Sequence, residues 1–300
     1  MRRAIVLGAS GFLGRWIVRE LSSRHIQVTT VGRRGSTQSP RLDVEGDILE
    51  LDMIGLFNDA DVIFHLAGSG DVPHSLDEPA VDLRANLQTT VAVLDAARRV
   101  KHPPRIVLVS SAAVYGESIS VPIAESHPLV PISPYGVSKL AAEHYLRVFH
   151  RLYGLPGLVV RPFSVYGPGQ RKLVVHDLLK RILDGEDPLL VSAPADVTRD
   201  FVYVADVAVA MVTLAGSAPA QGEAYNLASG RATSLRDLVG ALQRATGSAG
   251  DAVFVGDQAP GNPVHWYGDT SRAASLGVSL NTPLVHGLDE TARWLAESPS

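Results

Sequence analysis

The sequence predicts an α/β protein: a doubly wound parallel sheet, followed by a smaller C-terminal lobe that is partly interleaved with it. Three observations lead there. Over the first 165 residues, short and wholly apolar runs alternate with stretches of helical periodicity. Strands buried on both faces read this way, whereas a strand with one wet face alternates apolar and polar residues. The first apolar run passes directly into a turn with glycines at 8, 11 and 14 and then into a helical pattern. After about residue 165 the alternation loosens and Pro and Gly become frequent, from Gly167-Pro168-Gly169 onward.

Each element follows from its pattern. Residues 4–7 are a short apolar run that reads as a buried strand, and residues 12–22 carry Phe12, Trp16, Ile17 and Leu21 at helical spacing. Strands are expected again at 26–31 and at 61–66, where Val62-Ile63-Phe64 opens the run. Leu83, Leu87, Val91 and Leu94 form one stripe of a helix over 82–100. A strand at 105–109, a helix at 135–150 and a strand at 158–160, ended by Arg161-Pro162, complete the first domain, residues 1–165. The second, residues 166–300, shows helical patterns at 173–184, 206–215, 234–246 and 286–297.

Composition narrows the function. A chain of 300 residues, 46% hydrophobic and 19% charged, buries a sizeable core. A net charge of −4 gives no basic field for nucleic acid or an anionic membrane. The absence of cysteine excludes disulfides, thiolate metal sites and cysteine nucleophiles, and no metal is expected. Only Lys101, Lys139, Lys172 and Lys180 among the 27 basic residues are lysines, so each is a marked choice in an arginine-rich chain. The opening Met1-Arg2-Arg3 is not read as a leader, because Gly8, Ser10, Gly11, Gly14 and Arg15 soon break the apolar run. No run approaches the ~20 apolar residues of a membrane span. A cytoplasmic protein is expected.

The turn Gly8-Ala9-Ser10-Gly11-Phe12-Leu13-Gly14 carries the first chemical signal. Glycines remove side chains where the backbone must turn and approach a diphosphate, and free amides at the helix start favour the anion. Its place between strand and helix at the N-terminus points to a Rossmann-type dinucleotide site. The spacing is G-x-x-G-x-x-G. Strand two ends in Val31-Gly32-Arg33-Arg34, without the carboxylate that would take a free 2′-hydroxyl. Arg33 and Arg34 suit a 2′-phosphate, so NADP is expected, with NAD possible; the plainer alternative is a pair of solvated loop arginines.

The second signal is Tyr135-Gly136-Val137-Ser138-Lys139. Tyr135 and Lys139, four apart, share a helix face. A phenol is a poor acid–base near neutral pH, and a nearby ammonium together with a cationic nicotinamide ring favours its phenolate. Ser110-Ser111-Ala112-Ala113-Val114-Tyr115-Gly116 follows the strand at 105–109, and Ser111 lies 24 residues before Tyr135. A serine at such a strand end can orient the reacting oxygen.

With these motifs the chain resembles the extended short-chain dehydrogenase/reductases, in their nucleotide-sugar epimerase/dehydratase branch. Further matching segments are Gly46-Asp47-Ile48, His65-Leu66-Ala67-Gly68, Arg161-Pro162-Phe163-Ser164-Val165-Tyr166-Gly167-Pro168-Gly169 and Arg199-Asp200-Phe201-Val202-Tyr203-Val204-Ala205-Asp206. The resemblance implies that Ser111, Tyr135 and Lys139 are catalytic. It implies cofactor contacts from Gly8, Ser10, Gly11, Phe12, Leu13 and Gly14, from Asp47 and Ile48 beside the adenine, and from Leu66, Ala67 and Gly68. Asn86 supports the site from its helix, and Phe163 and Ser164 lie near nicotinamide and substrate. Arg199 would meet the diphosphate of a UDP-, TDP- or GDP-linked sugar, as a fixed cation suits such a group; a salt bridge to Asp196 or Asp200 is its alternative. His65 reads as a packed strand residue. A homodimer through helices 82–100 and 135–150 is also implied.

Two departures bear on the reaction. The family's 4,6-dehydratases carry carboxylates after the serine or threonine, where this chain has Ala112 and Ala113. Enzymes of the family that invert at C3 and C5 use a cysteine, and there is none. A 4-epimerase and an NADPH-dependent 4-ketoreductase remain, the first narrowly favoured; a non-catalytic dinucleotide sensor would not need all three catalytic residues. Relative to the epimerases, Gly32 replaces an acidic residue, Ser164 an asparagine, and Ala259-Pro260-Gly261-Asn262 an Arg-Pro-Gly-Asp that helps hold the nucleotide. Arg171 or Lys172 would replace that missing phosphate partner.

Overall fold

The five apolar runs all become strands, because each is flanked by turn residues and too short to bury a helical face. The structure, a computed structural model, describes residues 1–33, 42–257 and 260–297. Strands β1 (Arg3–Leu7), β2 (Gln27–Gly32), β3 (Val44–Glu45), β4 (Val62–His65), β5 (Arg105–Val109) and β6 (Gly157–Pro162) join β11 (Gln221–Leu227) in one sheet, ordered β11-β6-β5-β4-β1-β2-β3. All its pairings are parallel. The chain runs outward from β1 to β3 and then returns to β4, so the crevice beyond the carboxyl ends of β1 and β4 is the switch point where such sheets bind ligands.

Helices cover both faces. They are α1 (Phe12–Ser23), α2 (Met53–Phe57), α3 (Val72–Asp77), α4 (Pro79–Leu83), α5 (Thr89–Ala97), α6 (Pro134–Tyr153), α7 (Val174–Leu183), α8 (Val204–Ser217), α9 (Leu235–Thr246), α10 (Ser271–Ala274) and α11 (Leu284–Glu297). Ala4, Val6, Val107, Leu158 and Val160 face one way, onto α1 and α8. Ile5, Leu7, Ile63, Ile106, Leu108 and Val159 face the other, onto α2, α5 and α6. This explains the unbroken apolar runs: alternate residues of one strand enter different cores, and each buried Leu or Ile contributes about 2 kcal/mol. A third core gathers α7, α9 and α11 in the C-terminal lobe. That lobe adds three small ribbons: β7 (Ser164–Tyr166) with β10 (Phe201–Tyr203), β8 (Leu189–Val191) with β13 (Ala252–Phe254), and β9 (Thr198–Arg199) with β12 (Thr233–Ser234).

Two elements differ from the sequence reading. The sheet's edge strand β11 was not expected, since Gly222 and Glu223 interrupt its apolar character; pairing with β6 creates it. The helix expected over 82–100 is α4, a π-helical turn at Arg84–Gln88, and α5. At that turn the Thr89 and Thr90 hydroxyls donate to the Ala85 and Asn86 carbonyls at 2.5 and 2.6 Å, competing with the regular ladder. Among the described residues no helix is long and apolar enough to cross a membrane.

Candidate active site

The glycine turn is pinned to the end of β2. Gly8 and Ala9 N–H groups both donate to the Val31 carbonyl, at 2.8 and 3.1 Å, and the Ser10 hydroxyl donates to the Arg33 carbonyl. Gly8 has φ +89°, a left-handed conformation that favours glycine. A Cβ at Gly14 would lie 2.2 Å from the Gly8 carbonyl oxygen, and one at Gly8 would lie 2.9 Å from the Ala67 amide nitrogen. The turn thus presses against the Leu66-Ala67 turn after β4. Gly11 caps α1 without a side-chain hydrogen bond and the first turn carries no acid, which leaves the helix N-terminus open to an anion. Phe12 and Leu13 are half-buried behind it. These residues fit a dinucleotide diphosphate.

At the adenosine end, Arg33 is exposed after β2, while Arg34 lies outside the described residues. Strand β3 sets Glu45 in register with Gly32, a carboxylate that the linear sequence did not place there. The Asp47 carboxylate accepts from the Leu49 N–H at 3.0 Å, and Ile48 is buried.

Three elements meet at the catalytic set. Ser133 caps α6, Pro134 starts it, and the Tyr135 N–H donates to the Ser75 hydroxyl oxygen at 3.2 Å. Tyr135 and Lys139 are only 8% and 7% exposed, although both are polar. The Lys139 ammonium donates to the Val109 carbonyl at 3.1 Å and lies 5.8 Å from the Tyr135 ring centre. Ser111, at the end of β5, accepts from the Ala113 N–H at 3.1 Å and hydrogen-bonds the Tyr135 hydroxyl. Ser111, Tyr135 and Lys139 are therefore brought together at the carboxyl end of β5.

Burial dominates the proton affinities. It pushes the Tyr135 phenol up to about 12; the Ser111 hydrogen bond opposes this and the Asp82 charge adds to it. It pulls Lys139 down to about 8, with Asp82 opposing. The expectation that Lys139 lowers the phenol is not met in the chain alone: burial raises it, and the opposing influence comes from Ser111; a cationic ring would supply what is missing. His65 is pulled down to about 3 by burial and by the Lys139 charge, and one ring nitrogen bonds the Thr90 hydroxyl at 3.0 Å. A neutral, packed His65 agrees with its sequence reading.

Asn86 bridges Asp82 and the Gly68-Ser69 turn after β4. Its amide oxygen accepts from the Ser69 N–H at 3.1 Å, and its amide nitrogen donates to Asp82 at 2.8 Å. A Cβ on Gly68, whose φ is +148°, would lie 2.4 Å from that amide oxygen. Asp82 was missed in the sequence, where it reads as one more acid on a helix.

On the substrate side, Phe163 packs 5.5 Å from Trp266 and 6.5 Å from Tyr115. The Ser164 N–H donates to the Asp200 carbonyl. Arg199 donates to the Thr198 and Val264 carbonyls at 2.8 and 3.4 Å. Burial lowers it to about 10, and Glu117 opposes that shift. Asp200 instead accepts from Ser229, Gly230 and Gly268, so the alternative of an Asp200–Arg199 bridge is not realised. Arg171 stacks 6.0 Å from the Trp294 ring on α11, and Lys172 pairs with Asp71 at 3.3 Å.

Behind the catalytic set lies a second buried network. Glu143 on α6 receives two bonds from Arg161, at 2.9 and 2.6 Å, and one each from Ser110 and Arg147. Arg161 also donates to the Tyr115 hydroxyl at 2.9 Å, which donates to Asn226 at 2.6 Å. Burial is the largest influence and disfavours the Arg161 charge, but the Glu143 hydrogen bonds and charge, together with Tyr115, outweigh it and hold the guanidinium charged.

Comparison with known proteins agrees with this geometry. The sequence profile of the NAD-dependent epimerase/dehydratase family matches residues 4–228. A putative UDP-glucose 4-epimerase of Methanocaldococcus jannaschii is 30% identical, covering 97% of both chains. A GDP-6-deoxy-D-mannose reductase of Pseudomonas aeruginosa is 33% identical, over 79% of this chain and 78% of its own. A UDP-glucuronic acid 4-epimerase of Bacillus cereus, solved with UDP-glucuronic acid and NAD, superposes with a TM-score of 0.89 at 28% identity, covering 98% of this chain and 99% of the other. The NAD held by that structure does not support the NADP preference read from Arg33 and Arg34. The chain belongs to the NAD-dependent epimerase/dehydratase family of nucleotide-sugar enzymes.

Proposed function

We propose that this protein is a nucleotide-sugar 4-epimerase that holds NAD and acts on a UDP-linked sugar. The observation that carries the reading is the buried Ser111–Tyr135–Lys139 set at the carboxyl end of β5, with only Ala112 and Ala113 following the serine. Those alanines cannot move protons, so the elimination of water in a 4,6-dehydratase lacks its acid and base. A 4-epimerase needs one acid–base at one oxygen. Tyr135 takes the C4 hydroxyl proton and later returns it; Ser111 orients that oxygen; Lys139 keeps a positive charge beside the phenol and reaches for the cofactor ribose. The nicotinamide, when bound, supplies the hydride acceptor and donor at C4. Between the two transfers the 4-keto sugar turns over in its site, held through its diphosphate by Arg199, with Phe163 and Ser164 beside it. Burial of Tyr135, Lys139 and Phe163 limits water at the exchange.

Glu45, brought beside Gly32 by β3, is the carboxylate nearest in register to the adenosine ribose and favours NAD. NADP remains the prediction of Arg33 and Arg34. The ketoreductase reading uses the same residues and is favoured by that arginine pair and by the reductase relative. Release of the cofactor on denaturing the purified protein separates them. Near-stoichiometric oxidised NAD supports the epimerase. An empty site that binds NADPH reversibly supports the reductase, and loss of that binding in Arg33→Ala would credit the arginines. Exposed Val81, Leu83, Val137, Val148 and Leu152 on α4 and α6 support pairing of two copies through those helices; a monomer by light scattering at micromolar concentration would end that part of the proposal.

A further inference from the structure

Asp82 is buried, 1% exposed, on the short helix α4. Its Oδ1 accepts the Asn86 amide at 2.8 Å, and its Oδ2 has no hydrogen-bond partner. A buried carboxylate with an open oxygen is costly unless a charge answers it. Helix α4 and the π-helical turn both pack against α6, the helix that carries Tyr135 and Lys139. Lys139 in turn is a buried ammonium whose one hydrogen-bond acceptor is a backbone carbonyl. Each of the two charges is thus without a contact ion pair, their helices are packed together, and the Asp82 charge acts on Lys139.

We propose that Asp82 is a positioning residue of this site: its carboxylate is the counter-charge that keeps the buried Lys139 ammonium charged. The Asn86 bond holds the carboxylate in place, and through the other end of the same amide the Ser69 turn is held too. The titratable groups acting on the pair are Asp82 from α4, which acts on both Tyr135 and Lys139, and His65 from β4, which faces Lys139. His65 stays neutral, so Asp82 supplies the negative charge. The same field opposes the Tyr135 phenolate, so the phenol stays protonated until a cationic ring arrives. Asp82 therefore makes proton release by Tyr135 dependent on the bound oxidised cofactor. This rests on the reading of Tyr135 and Lys139 as the acid–base pair, but its test needs neither cofactor nor substrate, so the two fail separately.

The test follows the side-chain nitrogen of ¹⁵N-labelled lysine by NMR across a pH titration of the cofactor-free protein. With four lysines the spectrum is small, and Lys139 is the signal absent from Lys139→Met. The parent signal is expected to titrate near 8, where burial places Lys139. Asp82→Asn keeps the shape and the Asn86 bond and removes only the charge; its Lys139 midpoint falls by about one pH unit. Asp77→Asn, the same change at an exposed position on α3, leaves the midpoint where it was. An unmoved midpoint in Asp82→Asn, or an equal shift in both variants, overturns the proposal. Where Asp82→Asn does not fold, Asp82→Ser removes the same charge and is read the same way. In turnover, Asp82→Asn moves the whole pH profile toward acid, since loss of a negative charge favours the deprotonated forms of both groups; a lower profile at the same pH would overturn the assignment.

Discussion

Two polar clusters are buried under the carboxyl edge of the sheet, along one face of α6, where Glu143 follows Lys139 by about one turn. In the first, Glu143 accepts from Ser110, Arg147 and Arg161, and Arg161 goes on to Tyr115 and Asn226. In the second, Asp82 Oδ2 and His65 Nδ1 have no hydrogen-bond partner, Tyr135 is pushed up to about 12 and Lys139 down to about 8. Both are equally dry, so burial alone does not separate them. Completion does. The first cluster has used its donors and acceptors on the protein and fixes β5, β6, β11 and α6 to one another. The second keeps valences open, at Asp82 Oδ2 and His65 Nδ1, the condition of a site that expects a ligand.

The contrast predicts a double dissociation. Tyr135→Phe should lower turnover by about 10³-fold or more while leaving the unfolding temperature where it is. Glu143→Ala should do the reverse: it strands the Arg161 charge and costs about 3–5 kcal/mol of stability, measured by urea unfolding, with kcat of the folded fraction unchanged. A Glu143→Ala enzyme of normal stability and no activity would merge the two clusters into one functional unit.

A smaller effect tests where the open cluster ends. The cofactor turns close on it through Gly14, where a Cβ would meet the Gly8 carbonyl oxygen at 2.2 Å, and through Gly68 above Asn86. Gly14→Ala meets rigid backbone, and NAD affinity by calorimetry should fall about tenfold or more. Gly68→Ala should also lose affinity, since its φ of +148° strains any side chain and Asn86, bonded at both ends, must give way; an unchanged affinity would place the Gly68 turn outside the cofactor site.

The smallest effect lies in stability against pH. The folded value of Lys139, about 8, is below its ordinary 10.5, so the buried ammonium opposes folding below pH 8, and that opposition fades as pH rises toward 10.5. Lys139→Met should therefore unfold at a higher temperature than the parent below pH 8, by a few degrees, with the gap closing above it. A gap independent of pH would assign the difference to packing instead of charge.

Much of this was legible before the structure. The runs at 4–7, 62–64 and 105–109 read as strands buried on both faces and are so, and Gly8, Gly11 and Gly14 form the expected turn between the first strand and the first helix. Tyr135 and Lys139 share a face because four residues make about one helical turn. What escaped was the edge strand β11, whose Gly222 and Glu223 hide it until β6 offers a partner, and the π-helical turn, which depends on two threonine hydroxyls finding carbonyls behind them.

By itself, then, the sequence determined the layered α/β architecture and placed the glycine turn between the first strand and the first helix, because both follow from the local pattern of apolar runs and turn residues. Only the tertiary structure decided the electrostatics. Asp82 lies 53 and 57 positions from Tyr135 and Lys139 in the sequence, and Glu45 reaches Gly32 only through the pairing of β2 with β3. Charge acts through space and grows as water is removed, so which carboxylate governs the tyrosine and the lysine is a property of packing that no local spacing carries.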